Sequence, residues 1–180
     1  MLLMILGILL WSGGHFFKRL APAARAGLGD KGKGLAALGI LAGLVLMVIG
    51  YRNAAFIPVW YPPAFLTHVN NLLMLLAVVL VGMSATTGRL RGWMRHPMLT
   101  GVKVWAVAHL LVNGDLASIV LFGSMLAWAV ASVILINKSE TWERPEPGDA
   151  KGDVKLAIIS LAVYGIMIGI HTWLGVPPVG

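Results

Sequence analysis

The chain contains no cysteine, which excludes disulfides, thiolate metal sites and cysteine nucleophiles, and removes cysteine usage as a guide to redox compartment. Charge is scarce as well. Only 12% of the 180 residues are Asp, Glu, Lys or Arg, against about 25% in soluble domains. Acidic residues are the rarer sign, seven against fourteen basic. Alternating polar and apolar runs of the kind a barrel strand needs are missing too. What remains is apolar: 58% of residues are hydrophobic and the mean hydropathy is +0.85. Several runs approach or exceed the roughly 17–25 residues that cross a bilayer as a helix. A lipid-exposed chain has to satisfy its backbone internally, so the sequence predicts an all-α integral membrane protein and excludes a water-soluble globule.

Six transmembrane helices are expected, at about residues 1–17, 34–51, 63–84, 97–112, 115–137 and 154–174, in a single domain over 1–180. The first apolar run lacks a basic start and an A-x-A cleavage site, and reads as a retained helix rather than a signal peptide. On the second, Ala36, Gly43 and Gly50 recur every seven residues, and Gly39 with Gly43 forms a GxxxG pair, a small-residue packing face. Asp115 is placed to N-cap the fifth helix. Residues 138–153, with mixed charge, two prolines and two glycines, read as a mobile surface loop.

The net charge of +7 does not indicate nucleic-acid binding, because the basic residues flank apolar runs and no soluble basic domain is left over. Thirteen of the fourteen Lys and Arg lie in or beside the loops after helices one, three and five; Arg52 alone lies on the other side. The positive-inside rule then puts those three loops in the cytoplasm and both termini on the periplasmic side. The lipid bilayer is the expected principal partner, and the oligomeric state is unspecified.

Polar groups inside a membrane span are the default functional candidates. His68, His109 and His171 all fall roughly 6–8 Å inside the outer ends of their helices at 1.5 Å per residue. Trp105, His109 and Asn113 are spaced to share one face of helix four. Ser124, Trp128 and Ser132 do the same on helix five, Ser160, Tyr164, Ile168 and His171 on helix six, and His68 and Asn71 on helix three. Taken singly, each histidine is most simply a hydrogen-bonding residue between helices, while three at one level favour a shared site. Imidazole is the commonest metal ligand, and a b-type haem needs one or two axial ligands in an apolar, aromatic pocket. A mononuclear metal on three histidines is a chemical alternative. The expected haem-binding residues are therefore His109, His171 and His68, with Trp105 and Trp128. His15 and His96 lie at the cytoplasmic level, and His96 reads as interfacial beside Pro97.

Several stretches resemble the NnrU family of bacterial membrane proteins. They are Gly14-His15, Trp60-Tyr61-Pro62-Pro63 before His68, Arg95-His96-Pro97-Met98, the run from Gly101 to Leu111, Asn113-Gly114-Asp115, and the stretch from His171 to Pro178. The resemblance spans essentially the whole chain with its motifs in order. It implies a bacterial inner membrane as the setting, a link to nitrite and nitric oxide reduction and, through the related plant zeta-carotene isomerases, a haem b site acting on a lipophilic substrate. The axial histidine of those relatives matches His109, and their second ligand, in an early helix, matches His15. They carry a cysteine three residues before the helix-four histidine; Ala106 stands there here, so a redox-driven Cys/His exchange cannot operate. Two other functions remain as alternatives. Arg95-His96-Pro97 with Gly101 resembles the RHPxYxG stretch of membrane methyltransferases that use S-adenosylmethionine, though Leu99 replaces the tyrosine. The small-residue faces would also suit a non-catalytic assembly subunit of a respiratory complex.

Overall fold

The computed structural model describes residues 1–178, and the named elements among them are all helical. Seven α-helices run α1 Leu2–Leu20, α2 Pro22–Gly27, α3 Gly29–Arg52, α4 Leu66–Met83, α5 Pro97–Val112, α6 Leu116–Ser139 and α7 Ala150–Trp173, with a 3-10 turn at Arg89–Gly92. Four of them, α3, α4, α6 and α7, are long and apolar enough to cross a membrane, and α5 is a shorter apolar helix. The 19-residue α1 is not among the four; its last third carries His15, Lys18 and Arg19.

Local chemistry explains the helix ends. α1 stops at Leu20 because Ala21 precedes a proline and is pushed out of the helical region, with φ −133°. α5 spans the expected residues, 97–112, starting with Pro97 in the first turn, where its missing N–H costs nothing. α7 begins at Ala150, four residues before the expected start. Its N-cap is Asp149, whose carboxylate accepts from the Lys151 backbone N–H at 3.1 Å.

The chain divides into two compact units. Unit one comprises Met1–Trp60 and Gly114–Ser139, and so holds α1, α2, α3 and α6. α1 and α3 pack through small residues. A Cβ on Gly7 would lie 2.6 Å from the Gly43 carbonyl oxygen, and one on Gly50 would lie 2.2 Å from the Met4 nitrogen. One on Gly14 would meet the Ala36 carbonyl oxygen at 3.0 Å. The face expected from Ala36, Gly43 and Gly50 is therefore the packing face, and Gly7 and Gly14 answer it at the same seven-residue spacing on α1. Gly39 takes no part, having open space at its Cβ position, so the GxxxG pair is not the packing motif. The large side chains Leu35, Leu38, Leu41 and Val48 of α3 are exposed instead. That inside-out arrangement suits lipid, which solvates leucine well while only backbone proximity holds helices together.

At the other end of unit one, the proline-rich loop is pinned to the start of α6. The Val59 and Trp60 N–H groups donate to the Gly114 carbonyl at 2.8 and 3.0 Å, and the Leu116 N–H donates to Ile57 at 2.9 Å. Asp115 caps α6 as expected, accepting from the Ser118 backbone N–H at 3.0 Å and from its hydroxyl. The Tyr51 hydroxyl joins the fully buried Ser118 at 2.8 Å.

Unit two comprises Tyr61–Asn113 and the chain from Glu140 on, and so holds α4, the 3-10 turn, α5 and α7. Leu80, Met83 and Leu156 form its core, with Leu90 and Val104 packed against them. Gly101 lets α5 approach α4, since a Cβ there would lie 2.9 Å from the Ala77 carbonyl oxygen. The segment expected to be a mobile loop is shorter than predicted and tied down. A Cβ on Gly152 would lie 2.5 Å from the Gly88 nitrogen, and the Asp153 carboxylate accepts from the Leu90 N–H at 3.1 Å.

Candidate functional site

In unit two, α4, α5 and α7 bring together His109, His171, Asn70, Asn71 and Tyr164 around a cavity of about 50 Å³. Each imidazole is held by its own helix. His109 Nδ1 lies 2.9 Å from the Trp105 carbonyl oxygen, and His171 Nδ1 lies 2.8 Å from that of Met167. A carbonyl oxygen can only accept, so in both rings Nδ1 carries the proton and, in the neutral ring, the lone pair sits on Nε2. The Trp105 ring stands 5.2 Å from that of His109. Asn113 is occupied elsewhere, capping α5 through the His109 carbonyl at 2.9 Å.

The amides and the phenol extend this network. Tyr164 donates to the Asn71 carbonyl at 3.0 Å, Asn71 donates to the Pro178 carbonyl at 3.0 Å, and Asn70 Nδ2 donates to Asn71 Oδ1 at 3.2 Å. Asn70 was not singled out from the sequence. It is 7% exposed, and its Oδ1 is buried without a hydrogen-bond partner. The signal that could have found it is its spacing: with Met74 and Ala77 it forms an i, i+4, i+7 stripe.

His68 lies outside this group. It is exposed on the first turn of α4, two residues before Asn70 and hence about 200° around the helix from it. Of the three histidines expected at one level, the structure brings together His109 and His171. Tyr164, Ile168 and His171 line the cavity as their shared face predicts, while Ser160 faces a second space. That space is an apolar groove of about 300 Å³ bounded by α4, α5 and α7, with Trp105 in its wall.

In unit one, His15 sits between two indoles. Its ring centroid is 4.4 Å from Trp11 and 4.8 Å from Trp128, and the two tryptophans are 5.5 Å apart. Trp128, expected beside a haem ligand, is thus next to His15. His15 repeats the arrangement of the other two histidines, with Nδ1 2.9 Å from the Trp11 carbonyl oxygen. Both indole Nε1 atoms are buried without a partner.

Arg95 and Pro97, part of the methyltransferase-like stretch, have structural tasks. Arg95 donates to the Glu140 carbonyl, and Pro97 opens α5 behind the N-cap residue His96. Among the described residues, no three His, Cys, Asp or Glu side chains converge as a metal-binding group.

An all-helical chain with four bilayer-length apolar helices is a multi-pass membrane protein; within its helices His15, His109 and His171 are each held to a backbone carbonyl of their own helix. The chain belongs to the NnrU family: that family's model, described as NnrU protein, matches residues 3–178. No curated protein matches the chain, and no solved structure does.

Proposed function

We propose that this chain is a six-span protein of the bacterial inner membrane, with both termini periplasmic, that holds one b-type haem through an imidazole of His109. Its role in this reading is redox, linked to nitric oxide metabolism, or isomerase-like on a lipophilic substrate. The observation that carries the reading is the Nδ1–H bond from His109 to the Trp105 carbonyl. Metal-bound histidines nearly always donate their other ring N–H to a carbonyl, carboxylate or water, which orients the ring and raises its basicity.

The donor set fits haem better than a bare ion. A protein-held ion needs three or four converging ligands, whereas the porphyrin supplies the equatorial ligands itself. The cavity shared by His109 and His171, at about 50 Å³, has room for a water or two and not for a macrocycle. The proposal therefore rests on His109, and His171, on the same cavity, is the further residue that would hold the group. When bound, haem supplies an iron centre tuned by its axial ligand and by the polarity around it. The residues of this chain orient the ligating imidazole and keep water out: Trp105 covers the His109 ring, and apolar side chains line the adjoining groove.

The test is the absorption spectrum of the detergent-purified protein beside His109→Ala. A Soret band in the wild type that disappears in the variant is expected. No Soret band after haem-supplemented expression would overturn the reading.

A further inference from the structure

The histidine cavity of unit two adjoins the apolar groove: Met74 and Met167 line both, and the partition they form is of flexible, unbranched side chains that can rotate aside. The groove, about 300 Å³, offers the space of roughly ten water molecules at ~30 Å³ each. Water is a poor occupant, since Val78, Val81, Val102 and Val163 form the wall and Ser160 supplies its one side-chain hydroxyl. Ile159 and Val163 at its edge are exposed, so a chain can enter sideways from lipid.

The cavity end has the opposite character, and its hydrogen bonding is unbalanced. The Tyr164 hydroxyl, one N–H of the Asn71 amide and the His171 Nδ1–H are spent on backbone carbonyls, and one N–H of the Asn70 amide on Asn71 Oδ1; each amide keeps a second N–H, and neither reaches Asn70 Oδ1. Two acceptors are left open as well: the buried, unpartnered Asn70 Oδ1 and the Nε2 lone pair of His171. Rotating the Asn70 amide does not cure the imbalance, since it would set Asn70 Oδ1 against Asn71 Oδ1. No donor of the site reaches Asn70 Oδ1, and a buried acceptor left unmatched bears the full cost of its desolvation.

We propose that unit two binds an amphiphile with one apolar chain and an O–H head group, the chain lying in the groove and the hydroxyl donating to Asn70 Oδ1 beside His171. The shared chemistry is a lipophilic hydroxyl, whether on an aliphatic alcohol or on a hydroquinone. This site needs no haem; His109 lines the same cavity, and the site requires that His171 is not a haem ligand.

The full-length protein in phosphatidylcholine nanodiscs is photolabelled with 1-dodecanol carrying a diazirine in its tail. Competitors are unlabelled 1-dodecanol, a decyl-substituted hydroquinone, and the methyl ethers of both. Saturable labelling of α4 and α7 peptides is expected, with the hydroxyl compounds competing about tenfold better than their ethers, the scale of one net hydrogen bond. The better hydroxyl competitor identifies the aliphatic or the aromatic source. Asn70→Leu should abolish the preference for hydroxyl over ether, and Asn70→Asp should keep it. Val163→Trp, at an exposed groove position that does not threaten folding, should weaken labelling by every probe. Equal competition by alcohols and ethers, or an unchanged preference in a folded Asn70→Leu protein, would mean that the groove takes any acyl chain over a hydrated cavity, and would overturn the proposal.

Discussion

His109 Nδ1 and the carbonyl oxygen of Trp105 lie 2.9 Å apart, one turn from each other on the same helix. His15 stands in the same relation to Trp11, and His171 to Met167. A histidine four residues after an available carbonyl thus has its tautomer set by its own helix, whatever lies across from it. The consequence is spectroscopic. His68 shows no such bond to its helix and is exposed, so His68→Ala should leave any haem spectrum intact. His109→Ala should remove it, and a changed spectrum in His171→Ala would name His171 as a second ligand.

The α1–α3 contact predicts opposite effects for two glycines of one helix. Gly50→Ala places a methyl 2.2 Å from the Met4 backbone nitrogen, and the helices must separate, at about 1–3 kcal/mol for overpacking. Gly39→Ala meets open space and should be neutral or stabilising by up to ~1 kcal/mol through helix propensity. Thermal unfolding of the two variants in detergent measures the difference.

Asp115 links the α6 N-terminus to the Ser118 hydroxyl and, through it, to Tyr51. Asp115→Ala should cost about 1–2 kcal/mol as a lost cap. Tyr51→Phe should cost ~1 kcal/mol as one lost hydrogen bond. A double-mutant cycle between Tyr51 and Ser118 should show coupling, because the two hydroxyls are direct partners.

The Leu90 N–H depends on the Asp153 carboxylate. Asp153→Ala leaves that donor without its partner, at about 1–3 kcal/mol if it stays buried. Faster amide exchange at residues 88–92, with little change in α5, is the expected result in hydrogen-exchange mass spectrometry.

The orientation is open to direct test because the chain has no cysteine of its own. With both termini periplasmic, Ala55→Cys should react with a membrane-impermeant maleimide in cells with a permeable outer membrane. Glu146→Cys should react only after the inner membrane is broken. The reverse pattern would invert the topology.

Much of the helical pattern was legible because it depends on neighbours in sequence. Pro97 and the tight turn at Asn113 bracket α5 at 97–112, and Asp115 announces the start of α6. One missed limit lies where the decisive contact is distant. α7 starts at Ala150 rather than near Val154, in a segment where Gly152 and Asp153 pack on Gly88 and Leu90. The seven-residue glycine spacing identified the packing face, but only the crossing of α1 and α3 could exclude Gly39, since a small residue facing lipid looks the same in sequence as one facing a helix.

The site divides in the same way. Sequence alone determined that the chain is helical and apolar enough for a membrane, that it has imidazoles as its only metal-ligating nitrogens and no thiols, and which residues share each helix face. These follow from composition and the 3.6-residue period. Tertiary structure alone decided that His109 meets His171 while His68 faces outward, that Trp128 attends His15, and that Asn70 holds an unmatched acceptor beside an apolar groove. Helix periodicity says which side chains point together; which helix they point at is set by backbone approach at Gly101, Gly7 and Gly50, and no local rule encodes that choice.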